Sequence, residues 1–362
     1  MKVKTIIIIS ISSLFLQSCI FKWYAKDEEK SIKPQWITDA FQTVQTNNFE
    51  RLSAISWWQE RWDENGEDID LRINTSPESL QAYQQAVRSS FFVTDLQFVN
   101  NKLVPPANGM YLSAFPDFGG SEDEVTAQKI TDFENLAQKP IGWAYFSDNW
   151  YNNIHFPGNA VQIIHNSGKT PFIRMMSRTT LEENIADPQY SMQNIIDGNF
   201  DADLLQWFTE AAQVGYPLLI EFGTEVNGEW FPWNGIYNGG AVTTDYGNPN
   251  LADGPERFVD AYRHIIDLSR QAGATNLTWF FHVDAVGQPW EQWNEIANYY
   301  PGDNYIDWIG ISAYGALDNQ DYMSLDEKLR MIYDRVYDLS YRNNKPVAIL
   351  ETGIIEFMVY DE

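Results

Sequence analysis

From about Gly109 onward the chain repeats one pattern: a short apolar run, an amphipathic stretch, then another apolar run. The runs are GMYLSAF, IGWAYFS, PFIRMMS, PLLIEFG, NLTWFFHV, YIDWIGISAYG and PVAILETG. Each is rich in β-branched or aromatic residues and has the length of a buried strand. The stretches between them read as helices. LLQWFTEAAQVG and PERFVDAYRHIIDLSRQAG close on glycine, and SLDEKLRMIYDRVYDLSYRNN opens on a Ser N-cap with acids in its first turn. Strand and helix in alternation call for parallel strands joined by right-handed crossovers.

Seven such units are one short of a (β/α)8 barrel, and the front of the chain offers the eighth. KPQWITDAFQTV reads as a helix and RLSAISWWQERW as a strand. SPESLQAYQQAVRSSF reads as a second helix, capped by Ser76 with Pro77 at its first position. A barrel is circular, so its eighth strand can enter from either end of the chain. The expectation is an α/β fold, a (β/α)8 TIM barrel with the eighth-strand unit, about residues 34–92, placed N-terminal to strands one to seven. The alternative is a truncated or misassembled product whose ring does not close.

The first residues do not read as fold. MKVKTIIIISISSLFLQSC has a Lys-bearing start and an apolar stretch too short to span a bilayer as a mature helix. Leu16-Gln17-Ser18-Cys19 resembles a bacterial lipobox, which implies cleavage before Cys19 and lipidation of its thiol; an ordinary secretory signal is the alternative. This divides the chain into a leader (1–18), a charged tether (19–33) and one catalytic domain (34–362). It also implies export and a lipid anchor on the periplasmic or outer face of a bacterial membrane. Cys19 is the only cysteine, so the fold must stand without disulfides. The net charge of −26 repels nucleic acid and anionic lipid, leaving neutral ligands favoured.

In a parallel barrel the C-terminal strand ends and the loops after them form the active face. Two strands deliver a glutamate there: Glu225 in PLLIEFGTEVNGEW and Glu351 in PVAILETG. Cleaving a glycosidic bond needs one carboxylic acid to protonate the leaving oxygen and a second carboxylate to attack the anomeric carbon or activate water. Either glutamate alone could equally be an ordinary rim charge. Indoles crowd the same tip, and sugars stack their C–H faces on aromatic planes.

These residues carry a resemblance. Glu225-Val226-Asn227-Gly228-Glu229-Trp230-Phe231-Pro232-Trp233 is similar to the acid/base segment of family 26 glycoside hydrolases, the β-mannanase-like group of a retaining (β/α)8 clan. YIDWIGISAYG and KPVAILETG resemble that family's sixth and seventh strands, and the segment from Gln35 to Tyr83 resembles its closing unit, here in permuted order. The resemblance implies Glu225 as general acid/base, Glu351 as nucleophile and Tyr314 as the hydroxyl that orients the nucleophile. It also implies a β-linked, mannan-like polysaccharide or oligosaccharide as substrate, cleaved by two-glutamate double displacement. The long loop after the acid/base strand adds the expectation of endo-wise cutting, and a monomer is expected. One position departs from the pattern: Thr224 stands where the family usually has histidine, which touches the choice of sugar more than the reaction.

Trp230, Phe231, Trp233 and Asn227 are placed to border the cleft, as are Trp57 or Trp58, of which strand alternation sends only one inward. His282, in WFFHVD, reads as a substrate contact or a hydrogen-bonded structural histidine. Trp62, Trp207 and Trp290 read as packing or outer-subsite residues. The Gly- and Asn-rich loop 234–258 is long enough to wall the cleft. No His/Cys/Asp cluster has metal-ligand spacing, so neither cofactor nor catalytic metal is implied. A surface glycan-binding lipoprotein without activity is the competing reading.

Overall fold

The computed structural model describes residues 29–360 apart from 47–48, 65 and 319–321, so the leader and Cys19 lie outside the described residues. Its central feature is a closed ring of eight parallel strands. In chain order these are β1 (Leu52–Trp58), β2 (Met110–Phe115), β3 (Trp143–Asn149), β4 (Thr170–Met176), β5 (Leu218–Phe222), β6 (Leu277–Asp284), β7 (Trp308–Ser312) and β8 (Val347–Thr352). Each pairs in parallel with the next. The ring closes where β8 pairs with β1, through Val347 opposite Leu52 and Ala348 opposite Ala54. A (β/α)8 barrel results, and the strand from the front of the chain fills the place between β8 and β2.

The apolar runs are explained by burial on both faces. Every residue of β2, β3, β5, β7 and β8 is buried, inside against the barrel core or outside against helices. The helices are α1 (Lys33–Gln45), α2 (Pro77–Val87), α3 (Ala127–Ala137), α4 (Gly158–Asn166), α5 (Met192–Ile196), α6 (Asp201–Gln213), α7 (Asp253–Gln271) and α8 (Leu325–Asn343). Local chemistry starts them as the sequence suggests. The Ser76 hydroxyl accepts from the Ser79 amide at the head of α2, and Ser324 forms a reciprocal capping box with Glu327 at the head of α8.

Alternation resolves the paired indoles of β1. Trp57 points out into the helix layer, where it meets Trp36, Phe41 and Tyr83 and donates its Nε1–H to the Leu71 carbonyl at 3.0 Å. Trp58 points the other way and stacks on Phe115 at 4.2 Å between ring centres. Burying Trp57 completely contributes roughly 2–3 kcal/mol and fixes the register of β1 against α1 and α2. The strand is shorter than the apolar run RLSAISWWQERW. It stops at Trp58, and Arg61–Glu64 turns back as an antiparallel hairpin with Glu67–Asp70. The alternating Arg and Asp of that hairpin suit a two-sided ribbon better than a barrel strand. A further short antiparallel pair joins Glu29–Ser31 to Met358–Tyr360.

Candidate active site

All eight strands point the same way, so their C-terminal ends share one rim. β5 ends at Phe222. The chain then turns through Gly223 at φ +64, where a Cβ would lie 2.5 Å from the Phe258 ring, so only glycine fits. Glu225 itself sits at φ +48, left-handed backbone that a side chain rarely adopts. Neighbours hold it there. Gly228 N–H donates to its carbonyl at 2.8 Å, and Asn234 Nδ2 donates to the next carbonyl, Val226, at 2.7 Å. The consequence is a carboxylate aimed across the barrel mouth.

Glu351 reaches the same spot from the tip of β8. One donor atom from each of Glu225, His282 and Glu351 lies within 4.8 Å of the others, the sole such grouping among the described residues. Both carboxyls are nearly buried. Their partners differ. Glu225 Oε2 accepts from Trp230 Nε1 at 2.7 Å. Glu351 Oε2 accepts from the Tyr314 hydroxyl at 2.7 Å, and its Oε1 lies 3.3 Å from Arg174 Nη2.

Those partners separate the two acids. Burial, then the charges of Glu351 and Asp284, pushes Glu225 well above the ordinary carboxyl range. Burial raises Glu351 too, but Arg174, His282 and the Tyr314 hydrogen bond oppose it. The proton that the pair retains therefore belongs on Glu225. Tyr314 is raised well above an ordinary phenol by burial and by both glutamates, so it remains a donor. One acid and one carboxylate within 4.8 Å can protonate a leaving group on one side of a bond and attack from the other.

The floor beneath them is a buried polar cluster. Arg174, from β4, ion-pairs with Glu122 at 2.7 Å, Glu351 at 3.3 Å and Glu221 at 3.6 Å, with its guanidinium over the rings of Trp58 and Tyr145. Glu221, the fully buried acid of β5, bonds the Tyr145 hydroxyl and His282 Nδ1. A carboxylate only accepts, so Nδ1 carries the proton. Its other contacts are Thr224 Oγ1 at 2.7 Å and, through Nε2, Ser312 Oγ at 2.9 Å. His282 thus has both ring nitrogens committed and stands below the cleft rather than in it.

Above the floor opens a cleft of about 650 Å3. Glu225, Glu351, Tyr314, Trp58, Trp230 and Phe231 all line it. So do three groups that the sequence reading did not single out: Arg174, Glu122 and Glu60. Burial, then the nearby Glu122, pushes Glu60 up to about 9, which leaves a protonated carboxyl at the cleft wall near neutral pH. A signal for Arg174 and Glu221 existed, since a lone charge inside a buried strand run must find a partner.

Four expected contacts fall elsewhere. Trp57 faces the helices. Trp233 is fully buried behind Phe231, donating to the Thr224 carbonyl at 2.7 Å. Thr224 turns its hydroxyl to His282, and Asn227 is buried with its amide bridging the backbone of Asp284. Packing explains the three after β5, because a turn this tight folds side chains back under itself, whereas Trp57 is turned outward by strand alternation. The loop 234–252 does not wall the cleft. It folds against the start of α7, where Arg257 donates to the Asn238 carbonyl at 2.9 Å, and Leu181, Glu183, Asn184 and residues 284–286 serve as walls instead.

The sequence matches known proteins over most of this architecture. The sequence model of "Glycosyl hydrolase family 26" matches residues 153–340. Endoglucanase H of Acetivibrio thermocellus is 27% identical over 229 residues, covering 63% of this chain and 23% of that protein. A mannan endo-1,4-beta-mannosidase of Bacillus subtilis is 29% identical over 155 residues, covering 42% of this chain and 34% of that one. The chain thus spans only about a quarter to a third of these curated relatives. Among solved structures, a GH26 beta-mannanase from Bacteroides ovatus aligns with a TM-score of 0.42 at 13% identity, covering 90% of this chain and 77% of that one. A beta-mannanase from a symbiotic protist of the termite Reticulitermes speratus aligns at 0.45 and 15%, covering 62% and 69%. With just over half of its length inside the family model, the chain belongs to glycosyl hydrolase family 26.

Proposed function

We propose that this protein is a retaining, endo-acting glycoside hydrolase that cleaves a β-linked polysaccharide of the mannan type. The observation that carries the mechanism is that one carboxyl oxygen of Glu225 lies within 4.8 Å of one carboxyl oxygen of Glu351 over one cleft, an approach that suits the closer of two known arrangements. Retaining enzymes hold their carboxyls about 5–5.5 Å apart, whereas inverting enzymes need about 6.5–9.5 Å to seat a water between them. Glu351 attacks the anomeric carbon while Glu225 gives its proton to the departing glycosidic oxygen. The result is a glycosyl ester on Glu351 and a carboxylate on Glu225. Glu225 then takes a proton from water, the hydroxide displaces Glu351, and both groups return to their starting states.

The names of the relatives support the substrate class: two of the three curated matches are mannan endo-1,4-beta-mannosidases. The third is an endoglucanase, which favours β-glucan as the rival substrate. Product sizing on soluble β-mannan, β-glucan and β-xylan separates these. NMR of the first product should show the starting anomeric configuration kept; inversion sinks the mechanism. Glu351→Ala should abolish turnover, with azide restoring part of it as the glycosyl azide. Glu225→Ala should lose about 10²–10⁴-fold on polysaccharide yet spare aryl glycosides whose leaving group needs no proton. The same reading treats Leu52–Trp58 as the family's eighth strand carried at the front of the chain, and Cys19 as the lipid anchor. Loss of palmitate labelling in Cys19→Ser tests the anchor.

A further inference from the structure

We propose that the pocket around Trp290 is a second carbohydrate subsite, outside the reaction cleft, which grips a distal stretch of a neutral polysaccharide. It rests on the reading of the protein as a polysaccharide hydrolase and adds a place where the chain is held away from the glutamates.

Trp290 is 70% exposed, whereas Trp36, Trp57, Trp143, Trp150, Trp207, Trp233 and Trp308 are fully buried. Among the described residues it is the one tryptophan that stands mostly in water, with Trp62, Trp230 and Trp293 only partly exposed. It borders a pocket of about 280 Å3 whose other lining groups include Glu291, Gln292, Glu295 and Arg335. Arg335 Nη1 lies 3.3 Å from Glu295 Oε2, and both remain partly exposed. A flat apolar face beside carboxylate acceptors and amide and guanidinium donors suits a pyranose, which offers C–H on its faces and hydroxyls at its edge. The two acids, on a chain of net charge −26, disfavour an anionic ligand.

The platform is also held in place. Gln288 N–H donates to the Asn227 carbonyl at 2.8 Å, and Asn294 Nδ2 donates to the same carbonyl at 2.8 Å. The Tyr299 hydroxyl in turn donates to Asn294 Oδ1 at 2.6 Å. At Gly287, φ +66, a Cβ would fall 2.4 Å from Asn227 Nδ2, so the loop closes against that amide. A loop fixed in advance loses little freedom on binding. The pocket adjoins the cleft: Val286 lines both, and Asn227, two residues from Glu225, lines the outer one. One polysaccharide chain can therefore occupy both.

The test uses the full chain made inert by Glu351→Gln, with and without Trp290→Ala. Binding is measured by calorimetry with soluble galactomannan, mixed-linkage β-glucan, and the trisaccharide of each backbone. Loss of roughly three- to tenfold in polymer affinity, with trisaccharide affinity unmoved, supports the subsite. Equal affinities in both backgrounds overturn it while leaving the hydrolase reading intact. An equal fall for polymer and trisaccharide also overturns it, since Trp290 would then act through the cleft. If the Glu351→Gln parent binds neither polysaccharide, the underlying reading fails. Sedimentation showing self-association that Trp290→Ala removes would assign the pocket to a second copy of the chain and overturn the proposal.

Discussion

At the scale of single residues, the proposed mechanism depends on keeping two buried acids in different protonation states. Asp284 is one of the charges that hold Glu225 up, and its own carboxylate is steadied by the amides of Val286 and Gly287 at 2.7 and 2.9 Å. Asp284→Asn removes a negative charge near Glu225 while keeping an acceptor for those amides. The pKa of Glu225 should fall, so the alkaline limb of kcat/KM should move to lower pH with the acid limb little changed. A pH profile on a polysaccharide substrate, whose leaving oxygen needs the proton, checks this, and a limb that stays put refutes the charge argument. Thr224 shows how a motif position can change purpose. Its hydroxyl serves His282 below the cleft, so its effect on sugar choice would have to pass through the floor.

Among the elements, the turn after β5 places the acid, and its glycine is as demanding as its glutamate. A Cβ at Gly228 would lie 2.1 Å from the Trp230 indole. Gly228→Ala should therefore swing Trp230 aside and break its bond to Glu225, costing about tenfold or more in kcat/KM, with little change in melting temperature because Trp230 is only partly buried. Trp230→Phe should reproduce the loss; a normal rate in both variants would remove Trp230 from the account. Seven of the eight strands were readable because each is buried on both faces, so its apolar run carries no competing periodicity. The end of β1 was not, since Gln59 and Glu60 continue an apolar-looking run that the hairpin interrupts. Glu225, Glu351 and Tyr314 were legible from their strand-end positions together with the motif. The lone charges of Arg174 and Glu221 inside buried runs signal that partners exist. Which groups they meet, and that Glu60 joins the wall, is set only when distant segments come side by side, which no local pattern encodes.

For the whole molecule, buried acids tie stability to pH. Burial raises Asp148 to about 7 despite the hydrogen bond from Trp207 Nε1, and Glu60 to about 9. Raised carboxyls stabilise the fold fully below their unfolded pKa of about 4, and that stabilisation is lost as pH rises through the folded values. Glu356 works in the opposite sense. Against its burial, hydroxyls of Ser31, Thr75 and Ser79 hold its pKa down, so its contribution fades as pH falls. The most stable range should therefore lie on the mildly acidic side of neutrality. Asp148→Asn should gain up to about 3 kcal/mol at pH 8 relative to its effect at pH 4.5, read from urea melts at the two values. The same increment at both would rule out ionisation as the cause.

The join between β8 and β1 has a kinetic meaning. It unites segments roughly 295 residues apart along the chain, the kind of contact that forms late. β8 also carries Glu351, so the strand that seals the barrel is the strand that arms it. A nascent chain stalled before that docking would have neither a finished wall nor Glu351, the proposed nucleophile, and on that proposal half-folded molecules would be inert instead of promiscuous.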